Sequence, residues 1–498
     1  MSLVIALLFL APLQCESLTS FKLSNGTITL AQSVSAGAFA VPGTEANPNP
    51  AFRNLPGFCR VAATLRPVSD SDIKIEVWLP LTTWNGKFQA VGNGGWAGTI
   101  TYSSGAGGVE RGMAEAINRG YATASTDTGH IGADAKFAFG HPEKMVDYAY
   151  RAIHETTVAA KAIVDGFYGA PPRFSYWNGC STGGRQGLME AQRYPDDFDA
   201  IIAGAPANYM THLESSHIAE GSASLRRSES ALTSIQHALL KNAAVQACDA
   251  LDGVKDGLIT DPRTCQFDPG TLLCRNGDSQ SCLTSAQVES SKTICAPTKK
   301  QNGELVFPGL EPGSELGWGP ITNGPEPFGV SMWMFRYLHN DMNWDWRSFD
   351  LDKETSLVDE KLGFINAIAP DLSKFKDRGG KLLLYHGWND PLIAPENTVD
   401  YYSKVLSKMG TNQSDWLRLF MAPGMNHCGG GDGPNAFDAI TALEKWRENG
   451  EPPNRIIAAH TLGGKVDRTR PLCPYPQVAK YKGDGSIDDA SNFECKAP

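Results

Sequence analysis

The chain has 498 residues, of which 41% are hydrophobic and 20% are charged, a balance typical of folded globular proteins. Its formal net charge is −10 at pH 7, which is unsuited to binding nucleic acid or an anionic membrane surface. No apolar run reaches the length that spans a bilayer. We therefore expect neither nucleic acid nor a membrane among its partners.

The first 14 residues are typical of a secretory signal. The apolar run at 2–10 lacks the basic segment that normally precedes it, so a truncated start is expected. A buried N-terminal strand is the alternative. The chain also carries 11 cysteines, which suits an oxidising compartment. The sequence therefore predicts a secreted protein, extracellular or periplasmic.

Strands and helices alternate along the first part of the chain. Period-two alternation predicts a half-exposed strand at 73–79, and further strands are expected at 87–91 and 120–125. Apolar residues at helical spacing predict a helix at about 146–167. Residues 15–60 show only short β-like runs, and we expect an irregular arm there.

A glycine-rich turn follows the next predicted strand, at 173–176, and a helix-favouring segment follows the turn. Gly179-x-Ser181-x-Gly183 is the nucleophile-elbow pattern of α/β-hydrolases. The serine of such an elbow sits in a strained turn, and glycines flank it because a Cβ would clash with neighbouring elements. A chance match is the alternative in a chain with 51 glycines, but the strand and helix around the turn argue against it.

The alternation stops after a short strand at 200–203 and resumes at 380–387. Alternating strands and helices predict an α/β fold with a mostly parallel sheet. We therefore expect an α/β-hydrolase catalytic domain formed by 15–207 and 369–498. A large lid domain at 208–368 is expected to be inserted between the nucleophile and the acid.

An elbow serine needs a base and an orienting acid, which follow it in α/β-hydrolases in the order Ser, Asp or Glu, His. His427 lies in a glycine-rich loop after a predicted strand, whereas His460 lies in an alternating stretch and is better explained as structural. Asp390 lies in another loop after a strand, and Glu396 is the fallback for the acid. An aspartate before proline can be a plain turn residue, but its order with Ser181 and His427 favours a catalytic role.

Cys180 directly precedes Ser181, and Cys428 directly follows His427. A disulfide between these cysteines would hold their Cα atoms about 4.4–6.8 Å apart and place the two loops side by side. Each cysteine could instead be a small buried residue. Spacing suggests three further local pairs: Cys248 with Cys265, Cys274 with Cys282, and Cys473 with Cys495.

An acidic loop lies between Cys248 and Cys265. Asp249, Asp252 and Asp256 stand at short spacing with glycines between them. Hard cations such as calcium bind six to eight oxygens from carboxylates and backbone carbonyls. Composition alone is equally compatible with a solvated acidic turn.

These motifs together resemble the tannase and feruloyl esterase family, from about Cys15 to Cys495. The resemblance is carried by the segments at 179–187, 423–428 and 470–476. It implies two cysteines bridged across a triad of serine, aspartate and histidine. The resemblance identifies the family specifically, but it gives little information about the substrate.

The resemblance implies a serine esterase mechanism. Ser181 attacks, His427 transfers the proton and Asp390 orients the imidazole. The backbone N–H groups of Gly95 and Thr182 would form the oxyanion hole.

The resemblance also implies a structural calcium ion as cofactor. Its ligands would be the carboxylates of Asp249, Asp252 and Asp256 and the carbonyls of Val254 and Leu258. We further expect Cys15 to pair with Cys59 and Cys295 to stay unpaired, which gives five disulfides in all.

The expected function is hydrolysis of esters of aromatic acids through an acyl-enzyme. A hydroxycinnamoyl ester such as a ferulate, as a small molecule or linked to a plant polymer, is the first choice, and a galloyl ester is the alternative. The lid, with its tryptophans and with Met332, Met334 and Phe335, is expected to supply an aromatic, partly apolar acyl pocket. A non-catalytic binding protein on a hydrolase scaffold and a calcium-dependent carbohydrate-binding module are remote alternatives, because neither needs a complete triad.

Overall fold

The computed structural model describes residues 14–44, 49–104, 109, 111–275 and 281–498. The signal-like segment therefore lies outside the described residues, except for its last residue. The strands, in chain order, are β1 (Gly26–Val34), β2 (Phe58–Leu65), β3 (Ile73–Pro80), β4 (Lys87–Val91), β5 (Ala122–Thr126), β6 (Phe174–Cys180), β7 (Ala200–Gly204), β8 (Thr298–Lys299), β9 (Leu305–Phe307), β10 (Lys381–Gly387), β11 (Leu417–Ala422), β12 (Ile456–Leu462), β13 (Lys465–Leu472), β14 (Val478–Tyr481) and β15 (Phe493–Lys496).

The α-helices, in chain order, are α1 (Met113–Asn118), α2 (Pro142–Val146), α3 (Ala152–Tyr168), α4 (Thr182–Arg193), α5 (Met210–Leu225), α6 (Ser234–Cys248), α7 (Ser285–Cys295), α8 (Gly319–Thr322), α9 (Gly329–Leu338), α10 (Leu351–Leu362), α11 (Ser373–Asp377), α12 (Glu396–Met409) and α13 (Ala439–Asn449). Among the described residues, no helix is both long enough and apolar enough to cross a membrane.

Nine strands form the central sheet, in the order β1-β2-β3-β5-β4-β6-β7-β10-β11. The six strands from β5 to β11 in this order pair in parallel, and β3, β2 and β1 are antiparallel to their neighbours. The carboxyl ends of parallel strands meet at one edge, where α/β proteins build their sites. The expected mostly parallel α/β sheet is confirmed.

The expectation of an irregular arm at 15–60 is wrong, because the arm contributes an edge strand. β1 pairs antiparallel with β2 along its whole length, with a register shift between Ile28 and Leu30. The shift breaks the period-two pattern, and only Ile28 and Ala31 of β1 are buried. A half-exposed edge strand with a bulge leaves a weak periodic signal in the sequence.

The helix expected at about 146–167 begins earlier and contains a π turn at Asp147–Arg151, between α2 and α3. Arg185, which is fully buried, donates to the carbonyl oxygen of Ala149 at 2.8 Å. A π turn leaves backbone carbonyls free for such a partner. Hydrophobic periodicity predicts the helix but does not show the turn.

Helices cover both faces of the central sheet. Apolar residues of α3, α4 and α12 pack on one face, and those of α1 and α13 pack on the other. Residues 205–380 add no strand to this sheet within the described part of the chain, and instead carry α5 to α11 and the β8–β9 pair. This segment leaves the sheet after β7 and returns at β10.

Candidate active site

Ser181 lies in a sharp turn between the end of β6 and the start of α4. Its backbone has φ 64° and ψ −125°, a conformation that costs energy for a residue with a Cβ. The turn is tight: a Cβ on Gly179 would lie 2.5 Å from the carbonyl oxygen of Gly183. The glycines of the motif are therefore required by close backbone approach, as a nucleophile elbow demands.

His427 and Asp390 come together from the loops that follow β11 and β10. His427 Nδ1 lies 2.6 Å from Asp390 Oδ2. The other carboxylate oxygen, Oδ1, accepts the backbone N–H groups of Leu392 at 2.9 Å and Ile393 at 3.0 Å. Burial by itself raises the pKa of Asp390, but His427 and the hydrogen bonds outweigh it and hold the pKa well below its usual range. Asp390 is therefore an anion held in a fixed position.

A second histidine contacts the same carboxylate. The fully buried His386 places Nε2 3.0 Å from Asp390 Oδ2 and 3.0 Å from the carbonyl oxygen of Ile393. Its Nδ1 lies 2.7 Å from Thr398 Oγ1. Because Nε2 faces two acceptors it carries a hydrogen, and Nδ1 can then accept the hydroxyl hydrogen of Thr398. Sequence analysis missed His386, although it stands four residues before Asp390 at the end of a strand.

A disulfide joins the serine and histidine loops. Cys180 and Cys428 are bonded, with their Cα atoms 6.0 Å apart. The bond connects the residue before Ser181 to the residue after His427. The other disulfides are Cys15–Cys59, Cys248–Cys265, Cys274–Cys282 and Cys473–Cys495, and Cys295 is free, so the pairs are those expected from the sequence.

Two backbone N–H groups beside Ser181 have no acceptor in the described part of the chain: those of Gly95 and Thr182. The carbonyl oxygen of Gly95 accepts the hydroxyl of Thr182 at 2.7 Å and that of Tyr148 at 2.9 Å. These two hydrogen bonds fix the glycine loop against the start of α4. The sequence did not indicate the contribution of Tyr148.

Ser181, His427, Gly95 and Thr182 all line one cavity of about 380 Å³. This volume falls within the range typical of sites for small ligands. One wall is largely apolar, and its residues come from α5, the start of α9 and the loop after β10: Met210, Leu213, Phe328, Val330, Leu392 and Ile393.

The expectation that Met332, Met334 and Phe335 line the cavity is wrong. All three are fully buried in a hydrophobic core that also holds Trp344 and Trp346. Helix α9 turns this face into the core, and residues at and just before its start reach the cavity instead. Apolar character alone does not distinguish these two faces.

Two polar side chains also stand on this wall. Glu214 and His217, both on α5, line the cavity and are each 2% exposed. His217 Nδ1 lies 3.4 Å from Glu214 Oε2, and its Nε2 lies 2.6 Å from the carbonyl oxygen of Leu392. Burial lowers the pKa of His217, but hydrogen bonding to Glu214 and its charge outweigh burial and raise the pKa.

The acidic loop lies between α6 and the bridged Cys265. Asp249 Oδ1 accepts the backbone N–H groups of Asp256 and Gly257, each at 3.0 Å. Asp252 Oδ2 accepts the hydroxyl of Thr260 at 2.6 Å. These bonds draw the acidic residues into one compact turn.

A different group, which the sequence did not indicate, could hold a metal ion. Ligand atoms of His154, Glu190 and Asp197 all lie within 4.8 Å of one another. Neither carboxylate oxygen of Glu190 has a hydrogen-bond partner in the described residues, and burial raises the pKa of this group well above its usual range. Lys161 donates to the carbonyl oxygen of Asp197 and brings a positive charge to the same place.

Comparison with known proteins agrees with this geometry. The family model for tannase and feruloyl esterase matches residues 59–496. An uncharacterized esterase of Xanthomonas campestris pv. campestris is 36% identical over 538 residues, covering 97% of this chain and 91% of that protein. A probable feruloyl esterase B-2 of Aspergillus terreus is 34% identical over 460 residues, covering 88% of this chain and 86% of that protein.

Solved structures are similar as well. The crystal structure of feruloyl esterase B from Aspergillus oryzae superposes with a TM-score of 0.90 at 32% identity, covering 97% of this chain and 99% of that one. Tannin acyl hydrolase from Aspergillus niger superposes with a TM-score of 0.76 at 22% identity, covering 96% and 93%, which shows the common fold. The chain therefore belongs to the tannase and feruloyl esterase family, and it is a carboxylic ester hydrolase with the α/β-hydrolase fold.

Proposed function

We propose that Ser181, His427 and Asp390 form the catalytic triad of this esterase. The observation that carries the proposal is the 2.6 Å contact between His427 and a buried aspartate anion, at a cavity that Ser181 also lines. His427 Nδ1 donates to Asp390, so its Nε2 is free to take the serine proton. The contact made by His427 favours Asp390 over the fallback acid, Glu396.

The reaction proceeds through an acyl-enzyme. Ser181 Oγ attacks the ester carbonyl while His427 accepts its proton and then gives it to the leaving alcohol. Water then attacks the acyl-serine with His427 as the base, which releases the acid and restores the serine. The free N–H groups of Gly95 and Thr182 are assigned to the oxyanion in both steps. A single donor of this kind contributes about 3–4 kcal/mol.

The acyl group is an aromatic acid of the hydroxycinnamic type. An apolar wall that includes Phe328 suits the face of an aromatic ring. The relatives named feruloyl esterase, among them one at 34% identity that covers 88% of this chain and 86% of its own length, favour the same class. A galloyl ester remains the competing substrate, because it too carries an aromatic acyl group.

Initial rates on methyl ferulate, methyl caffeate, methyl sinapate and methyl gallate test this assignment. We expect the highest kcat/KM on a hydroxycinnamate. A preference for the gallate by ten-fold or more would identify a tannase instead. Turnover of p-nitrophenyl acetate without any turnover of the four aromatic esters would overturn the aromatic acyl assignment.

We further propose that the acidic loop binds calcium for stability. Among the described residues, the carbonyl oxygens of Val254 and Leu258 accept no hydrogen bond, so both can serve as ligands. Asp249 Oδ2 likewise has no partner there, whereas Asp256 pairs with Arg470. The three carboxylates are less tightly gathered than the His154 group, and Arg470 engages one of them, Asp256. The donor set is the one that a hard cation prefers.

The compartment and the lid are part of the same proposal. Five disulfides suit an oxidising environment, so the enzyme acts outside the cytoplasm. Residues 208–368 act as the lid, since α5 and the start of α9 form one wall of the cavity. The hydrolase domain, 15–207 and 369–498, carries the triad.

A further inference from the structure

One stripe of α5 faces the cavity, at helical spacing: Met210, Leu213, Glu214 and His217. Two members of the stripe are apolar and two are polar. Each of the polar pair is 2% exposed, so neither is a surface group. A buried carboxylate on the wall of an aromatic acyl site needs hydrogen-bond donors.

The hydrogen-bond partners of His217 indicate which of its ring nitrogens carry hydrogens. His217 Nε2 faces the carbonyl oxygen of Leu392, so it carries a hydrogen. Its Nδ1 faces Glu214 Oε2 and, at 3.2 Å, Ser331 Oγ. Ser331 donates its own hydroxyl hydrogen to Glu214 Oε2, so Nδ1 meets only acceptors. These contacts fit an imidazolium at His217, as does its pKa, which burial lowers but hydrogen bonding to Glu214 raises by more.

This arrangement leaves one oxygen unused. Both of the protein donors that reach Glu214, from His217 and Ser331, meet Oε2. Oε1 makes no hydrogen bond to the described part of the chain, although its residue lines the cavity. A carboxylate oxygen in such a place is a strong acceptor for a hydroxyl hydrogen.

Stability does not account for the pair. A buried ion pair is often no more stabilising than apolar residues of the same volume, because desolvation offsets the attraction. The rest of the wall shows that apolar residues fit here, with Met210 and Leu213 on the same stripe. Binding of a ligand by Glu214 explains why a charged side chain lies among these apolar residues.

We propose that Glu214 accepts a hydrogen bond from a phenolic hydroxyl of the bound acyl group, with His217 and Ser331 holding the carboxylate in place. The substrate class is then narrowed to esters of aromatic acids with a free ring hydroxyl. Esters whose ring hydroxyls are all methylated are poor substrates. This inference rests on the proposed function, since it presumes an aromatic acyl group at Ser181.

The test compares methyl ferulate with methyl 3,4-dimethoxycinnamate, which differ only in methylation of the ring hydroxyl. For the unmodified enzyme we expect kcat/KM to favour the ferulate by about 10-fold to 100-fold, the range of a hydrogen bond to a charged group. Glu214→Gln keeps the size of the side chain and removes its charge. We expect this variant to lower the ferulate preference by about ten-fold.

His212→Gln is the matched control. His212 lies on the same helix, is 4% exposed and pairs with Asp359 at 2.8 Å, but does not line the cavity. This variant should keep the preference of the unmodified enzyme. Equal loss of preference in both variants would show a general disturbance of α5 and contradict the proposal.

Phenol recognition by Glu214 and the aromatic esterase assignment would be contradicted by different results. If the unmodified enzyme hydrolyses both cinnamates equally well, phenol recognition by Glu214 is wrong and the aromatic esterase assignment stands. If it hydrolyses neither but cleaves p-nitrophenyl acetate, the aromatic assignment itself is wrong. The comparison on the unmodified enzyme needs no variant, so equal rates on the two cinnamates would refute phenol recognition even if Glu214→Gln folds poorly.

Discussion

His386 and His427 contact the same carboxylate oxygen, Oδ2 of Asp390, at 3.0 Å and 2.6 Å. One imidazole faces the cavity, and the other is fully buried behind the acid. Asp390 is thus held by two imidazoles and two backbone N–H groups. His386 has the geometry of a positioning residue, since it contacts Asp390, the acid of the proposed triad.

Replacing His386 should therefore affect turnover. His386→Leu removes the donor to Asp390, and we expect kcat on methyl ferulate to fall by about 10-fold to 100-fold with a smaller change in KM. His386→Gln retains an amide donor and should lose less. The measurement is steady-state kinetics of both variants across pH 5 to 9.

His237→Leu is the control for loss of a buried histidine. His237 is 2% exposed and contacts Thr322 Oγ1 at 2.9 Å, without an aspartate. We expect its kcat to stay within about three-fold of the unmodified enzyme. If the Leu and Gln variants of His386 lose the same activity, the hydrogen bond to Asp390 is not the cause.

The nucleophile assignment is tested by Ser181→Ala. We expect a loss of kcat of about 10³-fold or more, because a triad acts as a unit. The melting temperature should not fall, since replacement removes only one oxygen. Circular dichroism and ester hydrolysis are measured on the same sample. Retention of a tenth of the original activity would refute the role of Ser181.

The disulfide between Cys180 and Cys428 should support activity as well as stability. Changing both cysteines to alanine frees the serine loop from the histidine loop, and a displacement of about 1 Å can reduce the rate on the order of 10²-fold. The expected result is a large loss of kcat at temperatures where the protein remains folded.

Removal of Cys473–Cys495 provides the comparison, because it deletes a disulfide distant in sequence from the triad loops. This double alanine variant should lower the melting temperature and leave kcat within about three-fold. Peptide mapping without reductant should recover one linked pair of peptides containing Ser181 and His427. Finding both thiols free in active enzyme would contradict the tether.

Chelation tests the calcium proposal. A ligand that binds only the folded chain stabilises it, so EDTA should lower the melting temperature and added calcium should restore it. Turnover well below the melting temperature should persist. Asp252→Asn should make the melting temperature insensitive to EDTA.

Two outcomes would contradict the structural role of calcium. Immediate loss of activity on chelation, reversed by calcium with no change in stability, would place the ion in the reaction. A chelator response that persists in Asp252→Asn would assign the metal to another group, for which His154, Glu190 and Asp197 are the best placed in the described structure.

A buried acid predicts how stability depends on pH. Burial raises the pKa of Glu311 to about 8, with Glu396 and Asp261 adding to the shift. The carboxyl of a glutamate in the unfolded chain has a pKa of about 4.3. Between these values the folded state binds more protons than the unfolded state, so this group lowers stability as pH rises.

Glu311→Gln removes this titration. We expect its melting temperature to exceed that of the unmodified enzyme at pH 8 by several degrees and to match it near pH 4. A pKa raised from ~4.3 to about 8 corresponds to a loss of roughly 5 kcal/mol by pH 8. Glu360→Gln, at an exposed position of α10, should show no such difference. A constant offset between pH 4 and pH 8 would show that the ionisation of Glu311 is not responsible.

The sequence predicts the parts of the site that local patterns encode. Gly179 and Gly183 mark the elbow because the turn tolerates no Cβ, and the loops after β10 and β11 place Asp390 and His427 at one edge of the sheet. Cysteines beside Ser181 and His427 reveal long-range proximity that spacing alone does not give.

The parts that sequence analysis missed depend on tertiary packing. His386 is an ordinary residue at a strand end until the fold brings it to Asp390. Glu214 and His217 sit in a helix whose cavity-facing stripe has no periodic signature, because polar and apolar residues share it. The wrong assignment of Met332 to the cavity has the same origin, since hydrophobicity does not tell which face of α9 meets the core.

The Cys180–Cys428 bond also closes a covalent ring around the whole inserted segment, because its two ends lie 248 residues apart in sequence. A protease that cuts once between β7 and β10 would therefore produce two peptides that stay joined. Ser181 would belong to one peptide, and Asp390 and His427 to the other. In a protease-rich medium, the three residues of the proposed triad can thus stay covalently linked after the chain between them is cut.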